Sequence, residues 1–368
     1  MLIIDGDYPM AYGAIDLDRD LTRPIDEVRN AKPSSSRCES SPDSETMATI
    51  PEMRRGGIAA ALAKICVRIQ RSGSSLSGYR SGEVASAVAH GELAYYRILE
   101  AREQVRILHN GSDLTQHMDS WSTATDHSGL PVGLILGLEG ADPILWPQQV
   151  HDWWNLGVRV VSLSHYGIST YCHGTGTGTD GGLFPAATEL LREMDALGMI
   201  LDVTHASDAS VRESLEVFSG PVLASHQNCR ALAAGERQFP DDILQAVVQR
   251  GAVVGISMDT WMLYQPGIDW ADIPRNRRDL FPREAITLSD FVDHIDHVCQ
   301  LAGNSQHAAI GGDTDGQGGR HAAPAEIDTV ADYQKVADVL AGRGYTDKDI
   351  ENIMYRNWQR FFKTWLPS

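Results

Sequence analysis

The stretch that most constrains this chain is 199–230, MILDVTHASDASVRESLEVFSGPVLASHQNCR. Met199 to Val203 is an apolar run of the kind buried in a parallel sheet, and it ends in Thr204-His205. An amphipathic segment from Ser207 to Phe218 predicts a helix, which Ser219-Gly220-Pro221 breaks. A second run, Val222-Leu223-Ala224, ends in Ser225-His226. Strand, crossover helix and strand imply a parallel pair. Two histidines then sit just past the carboxyl ends of neighbouring strands, the edge where α/β sheets bind ligands. Neutral imidazole is the commonest protein metal ligand, and a pair held on rigid strand ends suits Zn²⁺ or a similar ion.

The same alternation runs through the chain. Apolar runs at Leu2–Ile4, Ile65–Ile69, Val132–Leu138, Val158–Leu163, Ala252–Ser257 and Ala308–Ile310 read as strands. Helical patterns cover 53–63, 83–109, 147–155, 188–197, 241–249 and 288–301. Roughly eight strand–helix units over this length predict an α/β fold, a (β/α)8 TIM-type barrel of parallel strands with outer helices, rather than an open doubly wound sheet. The barrel is expected to be one domain over 1–368, with loop insertions near 33–45 and 71–82. Trp153 and Trp154 read as packing residues. The glycine-rich HGTGTGTDGG at 173–182 lacks the Gly-Lys-Ser/Thr ending of a phosphate loop.

Polar residues close the strands: Asp5 and Asp7, Glu139, His165, His205, His226 and Asp313. A barrel brings such residues to one face. Two imidazoles and a carboxylate make three metal ligands and leave a position for water. A metal there makes bound water a nucleophile near neutral pH, and a carboxylate such as Asp313 then takes and returns the proton.

Composition narrows the partners. Lys+Arg 31 against Asp+Glu 49 gives a net charge of −18, which argues against nucleic acid and an anionic membrane surface. The cysteines Cys38, Cys66, Cys172, Cys229 and Cys299 are scattered without a CxxC, as in a reducing compartment. No apolar run approaches the roughly 18 residues of a membrane span. MLIID enters a strand at once, so the expectation is a soluble, cytoplasmic protein without signal peptide or anchor.

Six segments, in order, carry a family resemblance: PEMRRGG at 51–57, GLEGADPI at 137–144, GVRVVSLSH at 157–165, GMILDVTHAS at 198–207, SHQNCRAL at 225–232 and IGGDTDG at 310–316. Together they span most of the chain, which resembles the membrane (renal) dipeptidases, metal-dependent dipeptidases of the amidohydrolase-like barrel superfamily. The resemblance implies a pair of zinc ions bridged by Glu139, with the second ion also held by His205 and His226. It implies that His165 polarises the scissile carbonyl and steadies the oxyanion, and that Asp313 carries the proton to the leaving amine. The arginine that grips the substrate carboxylate falls on Arg237, in Arg237-Gln238-Phe239-Pro240-Asp241, with Arg230 ranked second. A homodimer acting on a small dipeptide-like substrate is the family expectation.

The first strand departs from the pattern. The family's Asp-x-His-x-Asp is here Asp5-Gly6-Asp7-Tyr8-Pro9, so the His and second Asp that bind the first ion become Asp7 and Pro9. Asp5 and Asp7 share a strand face and offer an alternative pair only through a two-residue slip. The expectation is therefore a weakened or absent first metal site, an intact second one, and Asp7 as a candidate ligand, with one zinc ion or two. The rival readings are a catalytically silent barrel that binds a small molecule, and another amidohydrolase-type hydrolase. The remaining histidines, including the His294/His297 pair, read as structural or surface, and Cys229 as packing.

Overall fold

The computed structural model describes residues 1–31, 45–71, 77–176, 178, 181–266, 282–314 and 319–368. Of the expected loop insertions, 33–44 and 72–76 fall outside them, as do Asp315 and Gly316.

Nine parallel strands organise these residues: β1 (Ile3–Tyr8), β2 (Ile58–Ile65), β3 (Val105–Ile107), β4 (Val132–Leu138), β5 (Val158–Ser162), β6 (Ile200–Asp202), β7 (Val222–Leu223), β8 (Val254–Ser257) and β9 (Ala308–Gly312). One ladder runs β1-β2-β4-β5-β6-β7 and another pairs β8 with β9. A bridge between Ala224 and Val254 joins β7 to β8. At the opposite seam the Asp313 amide donates to the Asp7 carbonyl at 3.3 Å, so the end of β9 meets β1. Eight strands curl round into the expected barrel, and β3 is additional, paired to the first half of β4. Close approach inside this ring needs glycine. A Cβ on Gly6 would lie 2.5 Å from the Ser225 carbonyl, and one on Gly255 only 2.0 Å from the same oxygen.

The crossover helices cover the outside, each with an apolar stripe inward. Asp208–Val217 starts where the Ser207 hydroxyl accepts the Ser210 amide at 3.1 Å. Leu288–Ala302 starts at a capping box of Thr287 and Asp290 and stops at left-handed Gly303. Trp153 is buried in the core, while Trp154 stacks under the Arg159 guanidinium at 4.1 Å.

Two stretches correct the sequence reading. The helix expected over 53–63 occupies Ile50–Arg55, and the strand expected at 65–69 is β2, Ile58–Ile65. Thr49 caps that helix, and Gly56-Gly57, the latter at φ +70°, ends it. The alanine-rich IAAALAKI then lies between β1 and β4, and a fully paired position overrides the helical preference of alanine. The helix expected over 83–109 stops at Ala101, and Glu103 at φ 58° turns the chain into β3. Past β9 the chain forms the helices Lys335–Gly342, Asp347–Glu351 and Asn357–Trp365, which the sequence reading did not place. Among the described residues no helix is long and apolar enough to cross a membrane.

Candidate active site

The polar residues gather at the carboxyl ends of the strands, as a barrel requires. Glu139 follows β4, and its Oε1 lies 3.0 Å from His205 Nε2 and 3.4 Å from His226 Nε2. The two imidazole nitrogens are 2.9 Å apart. Burial pulls both rings below their ordinary imidazole range, His205 well below it, so both are neutral near pH 7. Lone pairs thus converge on one point where one shared proton cannot satisfy them all. Ligands about 2.0–2.1 Å from a tetrahedral zinc stand roughly 3.3 Å apart, close to the spacing seen here. The donor set fits a divalent cation.

The surrounding residues fix these ligands. Asp7 Oδ1 and Ser225 Oγ lie 3.1 Å and 2.9 Å from His226 Nδ1, leaving Nε2 to face the centre. His205 Nδ1 is buried and has no hydrogen-bond partner. His205 and Asp313 both hold left-handed backbone, at φ 69° and 58°, the conformational strain that tends to collect at functional positions. Burial would raise the Glu139 carboxyl, but the neighbouring His165, His226 and Lys64 hold it below its ordinary range.

His165 follows β5, with Nε2 3.8 Å from Glu139 Oε1. Arg68 Nη1 is 3.2 Å from its Nδ1, and Arg can only donate. The neutral ring therefore carries its proton on Nε2, the nitrogen facing Glu139. Asp313 joins Asp7 and His226 in a set whose ligand atoms all lie within 4.8 Å. Its Oδ2 accepts the Ser257 hydroxyl at 3.0 Å, and burial raises its pKa against the pull of His226.

Arg237 is 1 % exposed. Its Nη1 donates to Gln227 Oε1 at 2.6 Å and its Nη2 to the His226 carbonyl at 2.8 Å, while Nε has no partner. No Asp or Glu neutralises it among the ion pairs of the described residues. Arg230 instead clamps Asp208 through bonds of 2.7 Å and 2.9 Å and ties down the carbonyls of 235–238, a structural role. His294 accepts the Cys229 amide at 3.0 Å and His297 meets Asp241 at 2.7 Å, so they form no metal pair.

Asp5 Oδ1 accepts the Asp7 amide at 3.1 Å, and Asp5 belongs to none of the candidate ligand groups among the described residues. Sequence reasoning missed Lys64, Cys66, Arg68 and Asp202. Lys64 is buried inside the barrel, 2.5 Å from Asp202 and 3.6 Å from Asp7. Cys66 Sγ is 3.6 Å from His165 Nδ1. Cys66 directly follows β2, as the other site residues follow their strands, so placing that strand correctly would have exposed it.

Comparisons with known proteins bear on the family and the fold. The model of the membrane dipeptidase family, peptidase family M19, matches residues 8–365. An uncharacterized dipeptidase of Schizosaccharomyces pombe is 27% identical over 305 residues, 80% of this chain and 66% of that protein. Dipeptidase 3 of Mus musculus is 28% identical over 279 residues, 71% of this chain and 52% of that one. The chain thus spans between about half and two thirds of these relatives' length. A metallo peptidase from Rhodobacter sphaeroides, liganded with a phosphinate mimic of the dipeptide L-Ala-D-Ala, superposes with a TM-score of 0.77 at 18% identity, covering 99% of both chains.

Proposed function

The chain belongs to the membrane dipeptidase family, peptidase family M19, and from that premise we propose that it hydrolyses the peptide bond of small dipeptides. The observation that carries the reading is the convergence of Glu139 Oε1, His205 Nε2 and His226 Nε2 within 3.4 Å in a buried, neutral-imidazole pocket. Zinc is the ion this donor set suits. Bound there, it polarises the carbonyl and lowers the pKa of water.

The chain's own residues divide the remaining work. Arg237, buried without a carboxylate, takes the substrate's terminal carboxylate, and its unpartnered Nε–H is among the donors still available. His165, with its proton on Nε2, donates to the oxygen of the scissile carbonyl as negative charge builds there. Asp313, raised by burial, accepts a proton from the attacking water and delivers it to the amine nitrogen as the C–N bond breaks. Ser257 holds Asp313 Oδ2, which leaves the other oxygen to carry that proton.

The test is turnover of a panel of L,L and L,D dipeptides with zinc, after chelation, and in Asp313→Asn. Chelation should abolish turnover and zinc should restore it. Asp313→Asn should lose about 10²–10⁴-fold in kcat, the usual worth of a positioned proton carrier, while keeping its zinc. Full turnover in Asp313→Asn would remove Asp313 from the chemistry. A folded, zinc-loaded protein that binds dipeptides and cleaves none would be a silent barrel.

A further inference from the structure

Lys64 sits near the carboxyl end of β2 with its side chain wholly inside the barrel, 0 % exposed. A buried ammonium persists only when paired, and this one is paired across the barrel. Its Nζ lies 2.5 Å from Asp202 Oδ2 on β6, 3.2 Å from Ser225 Oγ and 3.6 Å from Asp7 Oδ1 on β1. Asp202 is saturated. It accepts the Thr204 and Ser225 amides at 3.0 Å and 3.1 Å and the Ser225 hydroxyl at 2.6 Å, besides Lys64. Asp7 is different. Beside Lys64 it has His226 Nδ1 at 3.1 Å, and with His226 and Asp313 it forms a cluster of cation-binding atoms within 4.8 Å.

That cluster borders the Glu139, His205 and His226 set and shares His226 with it. It does not fit a second divalent ion. Both Asp7 oxygens lack a hydrogen-bond partner, but the ammonium 3.6 Å from Oδ1 already supplies the positive charge that faces them, and Pro9 adds no donor beside that strand. A dication on Asp7 would stand a few ångströms from Nζ, both side chains being buried, where like charges repel most strongly.

We propose that the Lys64 ammonium takes the place of a second metal ion, so that the site is a one-ion centre held by Glu139, His205 and His226 with a built-in organic cation beside it. Lys64 thereby balances Asp7, while Ser225 Oγ at 2.9 Å takes the Nδ1 side of His226 and leaves its Nε2 facing the ion. The inference rests on the metal-centre reading above, and the experiment separates the two.

The full chain, its Lys64→Arg variant and its Lys64→Ala variant are equilibrated with excess zinc. Bound zinc per chain is then counted by elemental analysis and native mass spectrometry, with folding checked by circular dichroism. One equivalent is expected in the wild type and in Lys64→Arg, which keeps the charge. Two are expected in Lys64→Ala, where Asp7 and Asp202 lose their cation. Two equivalents in the wild type would overturn the proposal, as would one equivalent in a folded Lys64→Ala. If Lys64→Ala does not fold, the wild-type count decides alone, one equivalent supporting the proposal and two rejecting it. No zinc in the folded wild type would sink the metal-centre reading itself, and this inference with it.

Discussion

Glu92 lies on the inward face of the helix Gly82–Ala101 with 0 % exposure, one oxygen accepting the Cys66 amide at 2.9 Å. Burial pushes its carboxyl up to about 8, from an ordinary value of 4.5. Folding therefore favours the protonated form. Its contribution to stability is intact below about pH 4.5 and is lost as pH rises through about 8. Glu92→Gln removes the charge and keeps an acceptor, so its melting temperature should match the wild type near pH 4.5 and exceed it by several degrees at pH 9. Equal melting temperatures at pH 9 would show that the charged form is solvated in the fold. The contrast with Lys64 bears on what a sequence reveals. Glu139, His165, His205, His226 and Asp313 were legible because each closes an apolar run, where a polar side chain has one exit. Lys64 lies inside such a run, and its meaning depends on Asp202 and Asp7, partners that only the closed barrel brings within 4 Å.

The clearest elements in the sequence were the crossover helices and long strands, where many periodic residues agree. Helix Asp241–Gln249 and strand Val132–Leu138 fall on their expected bounds. Short or alanine-rich elements were not legible, because three residues of β3 or the run IAAALAKI carry too little pattern to outvote local propensity. The C-terminal helix was not placed from the sequence, although Trp358, Phe361, Phe362 and Trp365 follow helical spacing. Its Trp358 is 0 % exposed, donates Nε1–H to the Ile310 carbonyl of β9 at 2.9 Å and packs where Gly6 leaves room on β1. Trp358→Ala should cost about 3–5 kcal/mol, the usual loss for an emptied aromatic core position. Urea unfolding checks this, and a loss under about 1 kcal/mol would mean that the helix does not brace the barrel.

At the scale of the molecule, the ion and the fold are linked. The proposed ligands come from the ends of β4, β6 and β7, so an ion that binds them would bind only the closed barrel. Zinc at a thousandfold excess over its dissociation constant should add about 4 kcal/mol of stability. The melting temperature should therefore fall on chelation and recover on adding zinc, as scanning calorimetry can show. An unchanged melting temperature would place the ion outside the fold's energetics. The seam where Asp313 meets Asp7 has a further consequence, for how the molecule is made. A ribosome releases β1 about 300 residues before β9, at about 5–20 residues per second. For tens of seconds β1 waits with one edge unpaired and its buried carboxylates wet, until β9 and the helix bearing Trp358 emerge to close it. The seam then closes only once β9 has emerged, and a nascent copy that stalls before it holds β1 open as a template for aggregation.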